Sequence, residues 1–215
     1  MSVKAKICGV NSPAAVEAAV SGGAGFVGFA FYAPSPRAVT PQAAAALAAA
    51  VPPDVVKVGL LVDDSDDRIA AILAHAPLDL LQLHGQETPE RVAAIKRRFG
   101  VPVMKVVKIA APADLAVADR YLDRADWLLF DAKAPPQMTG ALPGGNALAF
   151  DWQLLAGRSW PLPWMLSGGL TADNLAEAVR ISGARAVDVS SGVESRPGQK
   201  DPARIASFLA AAARL

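Results

Sequence analysis

The sequence contains little cysteine, histidine or charge. Among its 215 residues are one Cys and two His, and 19% of the residues are charged. One Cys cannot form an internal disulfide, and so few Cys and His residues cannot complete a structural zinc site. The 21 Lys and Arg nearly balance the 20 Asp and Glu, which leaves a net charge of +1. The composition therefore predicts no metal site, and it indicates neither a nucleic-acid partner nor binding to an anionic membrane.

Long apolar runs are missing as well. The longest uncharged run lies between Glu17 and Arg37, but its glycines and prolines are typical of a helix end, a strand and a loop rather than a membrane span. Glu17 also interrupts any apolar stretch that would follow Lys4 and Lys6 in an export signal. We therefore expect no membrane partner and a reducing, cytoplasmic setting.

Hydrophobic residues, in contrast, make up 53% of the chain. A chain of this length buries roughly 70% of its unfolded surface, which is enough for one sizeable core. The composition excludes a disordered acidic or basic protein. We therefore expect a single domain that spans residues 1–215.

Eight short, nearly continuous apolar runs alternate with Ala-rich segments of helical spacing. Such runs are typical of parallel strands that are covered on both faces. The predicted strands are residues 3–8, 25–31, 55–62, 78–83, 101–109, 127–131, 164–167 and 186–190.

Capping residues mark the starts of the helices. A capping side chain before a proline is typical of a helix N-terminus, because the fixed φ of proline suits the first helical position. Four residues precede a proline in this way, namely Ser12, Thr40, Thr88 and Asp201, and two more, Ser65 and Thr171, are candidate caps. The order of eight strands and about eight helices predicts an α/β fold, a (β/α)8 barrel. A doubly wound open sheet is the alternative, since periodicity does not exclude it.

Two connections after strands are longer than the others. They follow the second and the sixth strand and cover residues 32–40 and 132–149. In a (β/α)8 barrel the loops after the strands form the face that carries active sites. We therefore expect both long loops to lie beside a bound substrate.

Nearly all distinctive polar residues fall at the predicted carboxyl ends of the strands. A random surface would scatter them, so this clustering predicts an enzyme. The residues are Cys8, Arg37, Asp63, Gln82, His84, Lys105, Lys108, Asp131, residues 167–169 and residues 188–192.

Two glycine-containing segments follow the last two strands. They are Ser167-Gly168-Gly169 and Ser190-Ser191-Gly192. Glycine lets backbone N–H groups approach an anion closely, and (β/α)8 barrels often hold phosphate after strands seven and eight. The pair predicts a phosphate site, while tight turns alone are the simpler alternative.

Three further residues have both a chemical and a structural interpretation. Cys8 is either a reactive thiol or a small buried hydrophobe. Asp131 follows four apolar residues, where a carboxylate is costly unless it is functional or paired, for example with Lys133. Arg37 lies in a proline-rich loop, and its planar guanidinium suits a carboxylate, although its position alone favours a solvated loop arginine.

A series of short motifs resembles the phosphoribosylanthranilate isomerase family of tryptophan biosynthesis, in order and over residues 4 to 201. The motifs are KICG at 6–9, VGFAF at 27–31, SPR at 35–37, LQLHG at 81–85, DAK at 131–133, FDW at 150–152, LSGGL at 166–170, DVSSGVE at 188–194, PG at 197–198 and KD at 200–201. The segment 135–148 is richer in Pro and Gly than the family pattern.

The resemblance implies the substrate N-(5-phosphoribosyl)anthranilate and an Amadori rearrangement to the 1-deoxyribulose product. It implies that Asp131 is the general acid and that Cys8, as thiolate, is the general base. Arg37 would bind the anthranilate carboxylate, and Asp188 would orient Cys8 or a sugar hydroxyl. Five residues would bind the phosphate, namely Gly168, Gly169, Ser190, Ser191 and Gly192.

These roles place demands on the two proton carriers. A reference Cys has a pKa near 8.5 and a reference Asp near 3.9, so each would carry the wrong proton at neutral pH. We therefore expect nearby positive charge, such as Lys6, to lower the pKa of Cys8. Because the chemistry only moves protons, no metal or organic cofactor is expected. The expected partner is a small phosphorylated aminosugar, and the protein is expected to be a monomer or a homodimer.

Other phosphosugar barrels remain as alternatives. A ribulose-phosphate epimerase, the indole-forming synthase of the same pathway and a histidine-pathway isomerase would share the glycine segments. The epimerase needs a metal cluster, which two His residues support poorly. A non-catalytic barrel that senses a phosphorylated metabolite would bind the ligand but transfer no proton.

Overall fold

The eight predicted apolar runs form eight parallel strands, and these close into one barrel in which each strand pairs with the next and β8 pairs with β1. The predicted barrel is confirmed and the open sheet is wrong. Each predicted strand boundary lies within two residues of the observed one. The strands are β1 Lys4–Cys8, β2 Phe26–Ala30, β3 Val56–Leu61, β4 Leu80–Leu83, β5 Val103–Ile109, β6 Trp127–Ala132, β7 Trp164–Leu166 and β8 Ala186–Val189.

The structure is a computed structural model that describes residues 3–135 and 137–215. Of the predicted segments, the domain over residues 1–215 and the loop over residues 132–149 therefore each include positions outside the described residues. Among the helices of the described residues, none is both long and apolar enough to cross a membrane.

Seven α-helices follow the strands in the described ranges. They are α1 Pro13–Ser21, α2 Pro41–Ala48, α3 Asp66–Leu73, α4 Pro89–Phe99, α5 Ala116–Asp119, α6 Leu175–Ser182 and α7 Pro202–Ala212. Two short strands, β9 Glu194–Arg196 and β10 Gln199–Lys200, form a small hairpin between β8 and α7.

The helix caps are confirmed with one exception. Five of the predicted side chains accept a hydrogen bond from the first turn of their helix, namely Ser12, Thr40, Ser65, Thr88 and Asp201. The prediction for Thr171 is wrong, because α6 begins only at Leu175. The side chain of Asn174 instead accepts a hydrogen bond from Thr171 N at 2.8 Å, which closes a turn before the helix.

The predicted number of about eight helices is too high by one in the described part of the chain. Between β6 and β7 there is only a 3-10 turn, Trp152–Leu155. Gly157 follows it with φ +69°, a conformation that ends a helix, and Pro161 and Pro163 lead into β7. The sixth unit therefore connects its two strands mainly by a long loop.

Two hydrophobic cores hold the barrel together. The larger one lies between the strands and the surrounding helices and includes Ile7, Leu81 and Phe130. The smaller one is formed by alternate strand residues that point into the barrel, including Phe26, Met104 and Met165. Side chains alternate along a strand, so both faces are apolar at this level, which explains the continuous runs in the sequence. Closer to the carboxyl ends, the inward positions become polar.

Candidate active site

A cavity lies at the carboxyl ends of the strands, where the inward-facing side chains are no longer apolar. Its walls come from several β-strand ends and from the loops after β2, β6, β7 and β8. All nine site residues predicted from the sequence line it, namely Cys8, Arg37, Asp131, Gly168, Gly169, Asp188, Ser190, Ser191 and Gly192. Both long loops also contribute, as expected, through Tyr32 and Ser35 and through residues 142–148.

Cys8 and Asp131 lie on different sides of this cavity. Cys8 is the last residue of β1, and Asp131 is the penultimate residue of β6. In the closed barrel, β7 and β8 separate these two strands on one side and β2 to β5 on the other. Both residues are 5% exposed. A ligand in the cavity can therefore lie between a thiol and a carboxyl group.

A buried ion pair lies directly below Cys8. Lys6, one inward position earlier on β1, is completely buried, and its Nζ lies 2.7 Å from Asp188 Oδ1. Asp188 Oδ2 accepts a hydrogen bond from Ser167 Oγ at 3.1 Å. Burial alone would lower the pKa of Lys6, but Asp188 and Cys8 outweigh it, so the net pKa is raised and Lys6 stays charged.

The expectation that positive charge lowers the pKa of Cys8 is wrong for the free protein. Burial raises the pKa of this thiol, and Asp188 raises it further, while Lys6 and Lys200 only partly oppose the change. The physical reason is the burial of the thiol, which disfavours its charged form more than Lys6 favours it, and Asp188 adds to the rise. Cys8 is therefore a thiol at neutral pH in the free protein.

Asp131 is held by its own backbone and faces a histidine. Its Oδ1 accepts a hydrogen bond from Ala132 N at 2.9 Å. Its Oδ2 lies 3.2 Å from Nε2 of His84, although the two atoms are not aligned for a hydrogen bond. The alternative pairing with Lys133 is wrong, because Lys133 binds Asp114 at 2.9 Å. Asp131 therefore faces the cavity without a cationic partner from its own loop.

His84 is in turn held by Gln82 on β4. The Gln82 amide lies 3.2 Å from His84 Nδ1, and within the described residues Gln82 Oε1 has no hydrogen-bond partner although it is buried. If the amide donates to Nδ1, a neutral His84 carries its proton on Nε2, which faces Asp131. The side chains of Gln82 and His84 thus form a polar wall beside Asp131.

Arg37 is buried and already paired, so the alternative of a solvated loop arginine is wrong. Its Nε and Nη2 donate to the two carboxylate oxygens of Glu194 at 2.7 and 2.8 Å. Nη2 also donates to Gly145 O at 3.2 Å. The planar fork that we expected to hold a substrate carboxylate is therefore occupied by Glu194, and Nη1 is the nitrogen left for a ligand.

The glycine-containing segments after β7 and β8 offer unpaired backbone donors. Gly168, Gly169, Ser191 and Gly192 line the cavity, and their N–H groups donate to no group within residues 3–135 and 137–215. Gly168 has φ +89°, and a Cβ on Gly192 would lie 1.9 Å from Leu170 O, so no other residue fits at either position. Clustered free N–H groups of this kind form an anion-binding site.

The loop after β6 packs onto the site. A Cβ on Gly144 would lie 2.5 Å from His84 Cε1 and 3.0 Å from Asp131 Oδ2, and one on Gly145 would lie 2.6 Å from Arg37 Nη1. The sequence analysis expected this loop near the substrate but did not identify these close approaches. It also missed Glu194, whose only sequence signal was its place in the segment after β8.

A comparison with known proteins decides the family. A model of the family described as N-(5'phosphoribosyl)anthranilate (PRA) isomerase matches residues 5–211. The chain belongs to the PRA isomerase family. As a member of it, the chain is an enzyme, an intramolecular aldose–ketose isomerase of tryptophan biosynthesis. The resemblance found in the sequence is confirmed.

Relatives of known sequence and structure agree with this. The N-(5'-phosphoribosyl)anthranilate isomerase of Rhodospirillum centenum is 61% identical over 215 residues, which is 100% of both chains. The crystal structure of the PRA isomerase of Thermotoga maritima has a TM-score of 0.85 and 33% identity, and covers 99% of this chain and 100% of that one. A PRA isomerase crystallised with reduced 1-(o-carboxyphenylamino)-1-deoxyribulose 5-phosphate has a TM-score of 0.83 and 32% identity, with coverage of 99% and 100%.

The site thus joins features that suit a PRA isomerase. A thiol and a carboxyl group face one cavity, free N–H groups gather beside β7 and β8, and one arginine nitrogen is open. In the part of the chain that the structure describes, no group of three or more His, Cys, Asp and Glu side chains has a metal-binding arrangement.

Proposed function

We propose that the protein converts N-(5-phosphoribosyl)anthranilate to 1-(2-carboxyphenylamino)-1-deoxyribulose 5-phosphate by an Amadori rearrangement. The observation that carries this proposal is that Cys8 and Asp131 line one cavity from strands β1 and β6, beside backbone N–H groups that have no partner in the described residues. The crystallised relative with a reduced form of the same product supports the choice of substrate.

Asp131 acts as the general acid. It gives its proton to the ring oxygen of the ribose while the C1–O bond breaks, and the nitrogen lone pair forms an iminium at C1. The position of Asp131 supports this role, because its Oδ2 faces the cavity beside His84 and has no cationic partner in its own loop. Proton transfer of this kind contributes roughly 10²–10⁴ in rate.

Cys8 acts as the general base. Its thiolate removes the proton from C2, and the electron pair of the C–H bond moves toward the iminium to give an enolamine. The enolamine then loses the proton of its C2 hydroxyl and gains one at C1, which gives the ketone. Atoms and charge balance, so no oxidant or reductant is needed. Because the pKa of Cys8 is raised by burial, only the minor thiolate fraction of the free protein is competent.

The two ends of the substrate bind at different walls. The phosphate lies against the free N–H groups of Gly168, Gly169, Ser191 and Gly192, with Ser190 beside them. The anthranilate carboxylate meets Nη1 of Arg37, since Nε and Nη2 are occupied. Asp188 remains paired with Lys6 below the sugar and orients Cys8 or a sugar hydroxyl.

The remaining features of the proposal concern the protein as a whole. Residues 1–215 act as one catalytic domain, as a monomer or a homodimer, on a small phosphorylated aminosugar. The reaction needs no metal or organic cofactor, because every step moves a proton within the substrate or between the substrate and a side chain. The sulfur of the single cysteine must stay reduced for this role, which suits the reducing cytoplasm.

The test mixes purified protein with N-(5-phosphoribosyl)anthranilate and follows the loss of anthranilate-type fluorescence, with the product identified by mass spectrometry and NMR. We expect conversion to the 1-deoxyribulose isomer at unchanged mass, with equal rates before and after treatment with a chelator. Binding of the substrate without conversion would indicate a sensor. Activity that disappeared with the chelator and returned with a metal would contradict the cofactor-free mechanism.

A further inference from the structure

The carboxylate of Glu194 binds both Arg37, which lines the cavity, and Lys200, which contacts the segment after β8. Glu194, the first residue of β9, is 5% exposed, and its two oxygens accept three hydrogen bonds from cationic side chains and one from the Gly198 backbone. Oε1 accepts from Arg37 Nε at 2.7 Å and from Lys200 Nζ at 2.7 Å, and Oε2 accepts from Arg37 Nη2 at 2.8 Å. None of the roles proposed above uses Glu194, so its contacts need their own explanation.

Glu194 and its partners Arg37 and Lys200 form a hydrogen-bond network with two arms. The first arm, from Glu194 to Arg37, holds the guanidinium in place. A guanidinium has five N–H groups, and here the Nε–H and both Nη2–H groups are used by Glu194 and Gly145 O. The two N–H groups of Nη1 donate to no group within the described residues. Since Arg37 is 5% exposed and lines the cavity, the bidentate pair determines both the direction and the rotamer in which Nη1 is presented.

The second arm reaches the segment after β8. Lys200 Nζ, besides binding Glu194, donates to Ser190 O at 2.9 Å and approaches Ser190 Oγ at 3.3 Å. Ser190 precedes Ser191 and Gly192, whose N–H groups are free. Lys200 therefore anchors the start of the segment that forms the proposed phosphate site. Through Glu194 this anchor is connected to Arg37.

Burial and ion pairing shift the pKa values of Glu194 and Lys200 in this network. Burial would raise the pKa of Glu194, but Arg37 and Lys200 outweigh it and the net pKa is lowered. Burial lowers the pKa of Lys200, and Glu194 opposes this change only in part, so the net pKa of Lys200 is lowered. Glu194 is therefore ionised at neutral pH and provides the negative charge that keeps two cationic groups buried together.

We propose that Glu194 is a positioning residue of the isomerase, which aligns Arg37 with the carboxylate end of the substrate and, through Lys200, aligns Ser190 at its phosphate end. The proposal rests on the roles of Arg37 and Ser190 proposed above. It specifies that Glu194 acts on substrate binding through these two neighbours and leaves the proton transfers by Cys8 and Asp131 untouched.

A purely structural role for Glu194 is the competing explanation. Its carboxylate also accepts from Gly198 N at 3.3 Å, so it could serve only to hold the β9–β10 hairpin. In that case its loss would lower the stability of the protein, and its effect on binding would not depend on Arg37. The two explanations therefore differ in how the effects of Glu194 and Arg37 combine.

The test is a double-mutant cycle with two ligands measured by calorimetry. The full ligand is reduced 1-(o-carboxyphenylamino)-1-deoxyribulose 5-phosphate, and the truncated ligand is ribulose 5-phosphate, which lacks the aromatic carboxylate. The variants are Glu194→Gln, Arg37→Ala and both together, with Glu17→Gln as the control because Glu17 is exposed on α1. Lys200→Met tests the second arm separately.

We expect Glu194→Gln to weaken binding of the full ligand by about 10- to 100-fold, the range of a charged hydrogen bond, and to raise KM more than it lowers kcat. In the Arg37→Ala background we expect most of this loss to vanish, because the group through which Glu194 acts is gone. Lys200→Met should weaken the binding of ribulose 5-phosphate by about 10-fold, since the neutral methionine side chain cannot donate to Ser190. Glu17→Gln should bind both ligands like the wild type.

If Glu194→Gln lowers the affinity for the full ligand equally in the wild-type and the Arg37→Ala backgrounds, the proposal is overturned. Unchanged binding of the full ligand by Glu194→Gln would overturn it as well. If Glu194→Gln does not fold, Glu194→Asp is used in the same cycle, because it keeps the charge but is too short to hold Arg37 and Lys200 together. The proposed function is judged separately, by conversion in the wild type and by the loss of affinity in Arg37→Ala. If those hold and the cycle is additive, only the role of Glu194 is wrong.

Discussion

The ammonium of Lys6 lies 2.7 Å from Asp188 Oδ1 in the interior of the barrel, directly below the thiol of Cys8. The two residues are register partners on the neighbouring strands β1 and β8. Burial raises the pKa of Cys8, Lys6 opposes this change, and Asp188 adds to it. The ionisation of Cys8, the proposed base, therefore depends on the ion pair between Lys6 and Asp188.

The first prediction concerns the pH dependence of Cys8. A raised pKa means that the thiolate fraction is small at neutral pH and grows as the pH rises, so alkylation and kcat/KM should both increase into the alkaline range. Iodoacetamide labelling followed by mass spectrometry reports on this residue alone, because the chain has one Cys. A titration of the free enzyme below the ordinary thiol range would contradict the prediction.

The second prediction concerns Asp188→Asn. Removing this carboxylate removes a charge that raises the pKa of Cys8 and leaves Lys6 free to stabilise the thiolate, so the alkylation curve should move to lower pH. Asp54→Asn is the control, since Asp54 is exposed in the loop before β3. An unchanged curve for Asp188→Asn, in a variant with wild-type circular dichroism, would show that the pair does not influence Cys8.

The third prediction concerns the two proton carriers themselves. Cys8→Ala and Asp131→Asn should each lower kcat by roughly 10²–10⁴, because each removes one proton transfer, while the fold is kept. Binding of the reduced product analogue should change little, which separates loss of chemistry from loss of the site. Near-normal turnover in either purified variant would remove that residue from its proposed role.

The fourth prediction uses two glycines of the loop after β6. Gly145→Ala should raise KM by about 10-fold, because its Cβ would lie 2.6 Å from Arg37 Nη1, the nitrogen proposed to meet the substrate. Gly140→Ala is a matched control, since both positions have a positive φ, +73° and +74°, and no atom lies within 4 Å of a Cβ at Gly140. Steady-state kinetics of the two variants test this, and equal values of KM would contradict it.

The fold could be predicted from the sequence because its signals are local. Continuous apolar runs mark strands buried on both faces, and Ser12, Thr40 and Thr88 mark helix starts through bonds that span three residues. Thr171 does not cap α6 because its hydroxyl accepts from Asn174 N, and Asn174 Oδ1 from Thr171 N, in a turn that precedes the helix. Among the described residues no α-helix lies between β6 and β7, since Gly157 and two prolines end the turn that begins at Trp152.

The location of the site could be predicted from the sequence, but the hydrogen bonds between its residues could not. Parallel strands bring their carboxyl ends to one rim, so residues as distant as Cys8 and Asp131 were expected to meet there. The bond between Arg37 and Glu194, however, joins residues 157 positions apart, one in the loop after β2 and the other at the start of β9. No periodicity relates such positions, and the sequence analysis therefore expected a free guanidinium where the structure has a paired one.

The sequence by itself determined the order of the strands, the rim on which polar groups gather and the family, because these depend on local pattern and on motif order. Only the tertiary structure decided the charge state around Cys8 and the availability of Arg37. Both depend on which opposite charge, Asp188 or Glu194, lies within hydrogen-bond distance of a buried cationic group. Electrostatic energy changes steeply with distance and burial, and neither quantity is written in the sequence.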